Sequence, residues 1–111
     1  MARVPEVELL WWQGCPSAEP AIELVREEMQ RLGLMPEALV VREILGDADA
    51  ERDAFVGSPT IRVDGRDVQE PNEEPVGLTC RVYRLRDGRV SALPDRADVK
   101  AALAAAIEAG G

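Results

Sequence analysis

Residues 7 to 45 constrain this chain more than any other stretch: an apolar run, an amphipathic helical pattern and a second apolar run follow one another through short joints. VELLWW, residues 7 to 12, is short, β-prone and almost wholly apolar, which suits a strand covered on both faces, and Gln13-Gly14 ends it. From 17 to 32 the apolar positions Ile22, Val25, Met29 and Leu32 recur at helical spacing, with Glu23, Arg26, Glu27 and Arg31 between them and Gly33 as the stop. ALVVREIL, 38 to 45, makes a second strand. Strand, helix and strand joined in this way form a right-handed βαβ unit with parallel strands, so both strands finish at the same end of the sheet.

The next connection is too short for another full crossover. Residues 46 to 57 hold a cap at Asp47 or Asp49, a short helix through Phe55 and Gly57 as a stop before Ser58-Pro59. The following strand, TIRV (60 to 63), therefore starts at the same end and runs antiparallel. Asp64-Gly65 is a favoured two-residue turn that brings RDVQ (66 to 69) back. EPNEEPVGLT (70 to 79) is an acidic, proline-bearing loop; CRVYRLR, a second Asp-Gly turn at 87 and 88, and RVSAL make another hairpin. Pro94-Asp95, with Asp98 at the third helical position, opens a last helix with Val99, Leu103 and Ile107 on one face and Gly110 as its stop. The expected class is α/β, in the order β-α-β-α-β-β-α with an extra hairpin before the last helix, as one domain over 1–111.

Composition narrows the chemistry. The chain has no histidine, which rules out Cys-His and Ser-His-Asp nucleophiles and histidine-ligated metals. With 13 Lys plus Arg against 21 Asp plus Glu, the formal net charge of −8 makes nucleic acid and anionic membrane poor partners. No apolar run is long enough to span a bilayer and no secretory leader is evident at the N-terminus, so a soluble, cytoplasmic protein is expected. Two cysteines are too few for a disulfide scaffold or a structural zinc site. Cys15 and Cys80 are therefore incidental, redox-active or ligands for a soft metal.

Cys15 lies between the first strand and the first helix, where unpaired N–H groups and the helix dipole favour a thiolate. Either Cys15 or Ser17 is the helix cap: the first puts Pro16 at the first helical position, the second makes Pro20 comfortable in the first turn. Trp11 and Trp12 face opposite sides of their strand, one toward the core and the other toward the core or the rim of this corner. Strand counting returns Cys80 to the end of the sheet where Cys15 lies, either as a second thiol within bonding reach or as a core side chain. Glu70, Glu73 and Glu74 precede it and are a solvated surface, or, if near Cys15, oppose its thiolate.

Gly14-Cys15-Pro16-Ser17-Ala18, then Gly57-Ser58-Pro59-Thr60, then Asp64-Gly65, together with the element order, resemble the thioredoxin-like superfamily. The likeness covers most of the chain and is nearest to small bacterial thioredoxin-family proteins. It implies a central mixed sheet flanked by helices, Cys15 as an exposed nucleophile, a cis bond before Pro59, and Ser58 offering its backbone to an extended thiol partner. Pro16 and Ser17 complete the implied partner-binding positions. Ala18 stands where the family's resolving cysteine would be, which excludes cycling within a C-x-x-C pair and leaves Cys80 as the candidate resolving thiol. The implied activity is thiol-disulfide exchange with a protein or a low-molecular-weight thiol or disulfide, needing no cofactor and no resident metal. Cys15 is expected to alkylate faster than Cys80. The alternatives are a two-thiolate binder of Cu(I) or Hg(II), and an interaction module that has lost the chemistry.

Overall fold

The computed structural model describes residues 4–110. Strand β1 (Val7–Trp11) alternates its side chains between two cores: Val7, Leu9 and Trp11 face one layer, Leu10 and, just beyond the strand, Trp12 the other. Helix α1 (Ala18–Arg31) covers the first face with Ala21, Leu24, Val25 and Met29. It ends as the glycine stop implied: Gly33 takes φ +81°, its N–H donates to Gln30 O and the Leu34 N–H donates to Met29 O. Strand β2 (Val40–Glu43) then pairs parallel with β1, Glu8 opposite Val40 and Trp11 opposite Glu43. It is shorter than expected, because Pro36–Ala38 forms a turn of 3₁₀ helix that delivers Leu39 to the core before pairing begins.

The short connection holds α2 (Asp47–Arg52), which places Ala50 and Phe55 on the second face with Leu10 and Ile44. Its stop is Ala54 rather than Gly57: Ala54 adopts φ +50°, and the Phe55 N–H reaches back to Ala50 O at 2.8 Å. Strand β3 (Thr60–Val63) runs antiparallel to β1 and adds Ile61 and Val63 to the first core. Asp64 and Gly65, both at positive φ, turn the chain into β4 (Arg66–Asp67). The result is a mixed four-stranded sheet in the order β2-β1-β3-β4.

Beyond β4 the structure departs from expectation. RDVQ pairs only through Asp67, and CRVYRLR and RVSAL pair only as β5 (Tyr83–Arg84) and β6 (Val90–Ser91), a separate two-stranded sheet. Helix α3 (Arg96–Gly110) closes the first core with Val99 and Leu103, and the Asp95 carboxylate accepts the Ala97 N–H at its start. Arg96 joins α3 to α1 through Glu28, whose buried carboxylate is held by Arg96 at 3.0 Å and Arg31 at 2.8 Å. Among the described residues no helix is long and apolar enough to cross a membrane.

Candidate functional site

Because β1 ends and β3 begins at one end of the sheet, with Leu10 opposite Thr60, the turns at Cys15 and Ser58-Pro59 lie side by side. Trp12 ties them together: its N–H donates to Ser58 Oγ at 3.0 Å and its carbonyl accepts the Cys15 N–H at 3.1 Å. Its indole, half-buried against the second core, lies over Gly14, where any Cβ would collide with the ring. Trp11 packs on the first core, so the two rings do face opposite sides. The Ser58-Pro59 bond is cis, as the resemblance implied.

Cys15 and Cys80 form a disulfide, with Cα atoms 5.6 Å apart. The two thiols thus meet at the end of the sheet where strand counting put them, although the carrier is not the long strand foreseen. Cys80 sits in an irregular segment that runs beside Ser58: the Ser58 N–H donates to Thr79 O at 2.8 Å, and the Arg81 N–H donates to Ser58 O at 2.9 Å. Ser58 itself is fully buried, and both of its peptide groups are used within the chain.

The helix cap is Ser17, without a side-chain capping bond, so Cys15 stands two residues outside the helix and Pro20 falls in the first turn. Pro16 is exposed and Ser17 half-buried. Cys15, expected to be exposed, is only 4% accessible, whereas Cys80 is exposed. Both sulfurs are in the bond, so neither titrates here.

Sequence reasoning missed what holds Cys80 in place. Arg81 is buried and ion-paired with buried Asp67 at 2.6 Å; it also donates to Gln69 O at 2.5 Å, and its guanidinium lies 4.5 Å above the Tyr83 ring. The Tyr83 hydroxyl donates to Pro59 O at 2.5 Å, and burial pushes that phenol well above its ordinary range while Arg81 pulls it the other way. Gly57, φ +140°, makes room for this segment: a Cβ there would lie 3.0 Å from the Arg81 backbone. The residue types carried no signal for this: Arg81 and Tyr83 are buried and Val82 and Arg84 exposed, the reverse of hydropathy at 81 and 82.

Cys80 borders a cleft of about 320 Å³ lined by Val56, Pro75, Val76, Leu78 and Val82, with Glu74 on its rim. The acidic loop is a solvated surface at Glu70 and Glu73. Glu74 accepts the Asn72 N–H at 2.6 Å, and bonds from its own and the Asn72 backbone N–H hold its carboxyl below the usual range. Compared with family models, with curated proteins and with solved structures, the chain finds no match.

Proposed function

We propose that the protein is a thioredoxin-like thiol-disulfide exchange protein whose working couple is Cys15–Cys80. The observation that carries this reading is the bond itself: two thiols far apart in sequence meet at the strand-helix corner, and one of them faces solvent. The mixed sheet, the cis bond before β3 and the order of elements support the thioredoxin-like part. Cys80 does the work that a second cysteine at position 18 would do elsewhere. Cys15 stands just outside the first turn of α1.

A redox titration of the folded protein in graded thiol and disulfide buffers tests the reading. Exchange proteins poise at roughly −120 to −270 mV, whereas structural disulfides of secreted proteins lie below about −300 mV. A reversible two-electron couple in the first range, with reduction complete while the fold persists, is expected. A bond that opens only on unfolding would reduce Cys15–Cys80 to a staple.

A further inference from the structure

Resting on the exchange reading, we propose that partner thiols open the bond at Cys80, that Cys15 is the buried thiol that leaves and returns, and that the partner is a low-molecular-weight thiol or disulfide without net negative charge. This reverses the order of attack that the corner motif implied.

Access decides the first point. A thiolate attacks a disulfide sulfur along the axis of the bond it breaks, and reaction is governed by which sulfur can be reached. The whole of Cys15 is 4% accessible, while Cys80 is exposed and borders the cleft. Approach from the cleft ends on the Cys80 sulfur and drives the electron pair onto Cys15. The thiolate RS⁻ forms the R–S–S–Cys80 bond, the Cys15–Cys80 bond breaks, and Cys15 leaves as a thiolate. A second RS⁻ then attacks the R sulfur, giving RSSR and the Cys80 thiolate. Protons from the two RSH finish on the two cysteines, so two electrons pass from thiol to protein. In the oxidising direction Cys80 attacks RSSR, and Cys15 attacks the mixed disulfide to expel RS⁻ and restore the bond.

The occupied backbone of Ser58 decides the partner's size. An extended protein segment would need the Ser58 N–H and carbonyl, and Thr79 and Arg81 already hold them. That segment is not loosely laid, because Arg81 is fastened to Asp67 and Gln69 and Tyr83 to Pro59. What is left open is the cleft of about 320 Å³, of a volume that suits a small thiol. Its apolar walls contribute contact; of the two charged residues that line it, Arg81 is ion-paired with Asp67, which leaves Glu74 to repel an anionic thiol and favour a neutral or cationic one.

Trapping tests this on the full chain. The oxidised protein is treated with limiting cysteamine, quenched with N-ethylmaleimide and mapped by mass spectrometry. The expected product carries cysteamine on Cys80 and maleimide on Cys15; the opposite placement overturns the order of attack while leaving exchange intact. No mixed disulfide on either residue in the folded protein overturns the exchange reading together with this one. As a second measurement, reduced Cys15→Ser, which keeps Cys80, should form a mixed disulfide with cystamine about tenfold faster than reduced Cys80→Ser, which keeps Cys15. Equal or inverted rates count against the proposal. Rates for cysteamine and 3-mercaptopropionate, each normalised to a small free disulfide, should differ by about threefold or more in favour of the cation and converge in high salt. A ratio near one removes the charge preference.

Discussion

The two cysteines are held by different kinds of structure. Cys15 belongs to a frame, residues 7 to 67, in which backbone ladders and periodic apolar faces do the holding: β1 is paired on both sides and α1 lies over it. Cys80 belongs to a span, residues 68 to 95, that has little ladder and is held by a few backbone bonds beside Ser58 and Phe55 and by polar side chains. Arg81 reaches into the frame at Asp67 and Tyr83 at Pro59, and within the span the Gln69 side chain pairs with both peptide groups of Arg84, donating to its carbonyl at 2.9 Å and accepting its N–H at 3.0 Å. A repetitive frame tolerates the loss of one contact better than a span fixed at three or four polar points. A bond between the two has one rigid partner and one that is rigid only while its pins hold.

The largest effect should come from the main pin. Arg81→Met leaves the Asp67 carboxylate buried without its partner, which costs about 3–5 kcal/mol. Denaturant unfolding of the oxidised protein measures it. Adding Asp67→Leu should return much of the loss, since a buried pair replaced by apolar side chains is often neutral. If Arg81→Met costs no more than a surface arginine, the span is held by something other than this pin.

Reduction of the disulfide should follow in size. Closing a loop of 65 residues restrains the unfolded chain; the chain-entropy account gives about 4 kcal/mol for that length, and disulfides commonly deliver about 2–4 kcal/mol between oxidised and reduced forms. Cys80→Ser should match the reduced form. The two regions should then separate: hydrogen exchange quickens at Ser58, whose N–H is held by Thr79, while β1 amides keep their protection. Uniform loss of protection across β1 and Ser58 would mean that frame and span melt as one unit.

How much was legible divides along the same line. The frame could be read because β1 is a short apolar run and α1 carries apolar residues at helical spacing: of Ile22, Val25, Met29 and Leu32, Val25 and Met29 are buried, and Ile22 and Leu32 pack partly buried on the same core. The antiparallel direction of β3 followed from the shortness of the link before it, and Cys80's end of the sheet followed from counting reversals. The span could not be read, because its determinants look like surface residues. Arg81 and Asp67 have the hydropathy of solvated side chains, and nothing local marks them as partners 14 residues apart. Gly57 was read as a helix stop, when what it provides is room for Arg81, a contact made with a distant segment. At the site the motif anticipated the cis bond before Pro59, but it implied an exposed Cys15 where the structure buries it, and it could not show that the chain's own Thr79 and Arg81 occupy Ser58.

A smaller effect tests whether the span has pins beyond Arg81. Gln69→Ala removes two hydrogen bonds that lie at the surface, where water replaces them, so a loss of about 0.5–1.5 kcal/mol is expected. The change should leave the rate of disulfide exchange unaltered, because Cys80 is fixed through Arg81. A slowed exchange would extend the positioning of Cys80 outward to the β5–β6 hairpin.

The smallest effects are electrostatic, and they sharpen the comparison at acid pH. In the frame, hydrogen bonding from Arg42, reinforced by its charge, holds the Asp53 carboxyl below the ordinary 3.8. In the span, backbone N–H groups of Arg86 and Ala97 do the same for Asp95. Each folded pKa is depressed, so each contribution is fully present above the unfolded value and is lost as pH falls through the folded one. Asp53→Asn and Asp95→Asn should therefore each flatten the acid limb of the stability curve, with the wild type losing its advantage below about pH 4. Salt should tell them apart. The partner of Asp53 is a half-exposed guanidinium whose attraction is screened, so its share of the acid limb shrinks as ionic strength rises. Asp95 is held first by peptide dipoles at hydrogen-bond distance, 2.9 Å for each donor, and its share should persist. If both shares fade together in salt, Asp95 owes its place to the nearby Arg86 charge, and the span is pinned by ions throughout.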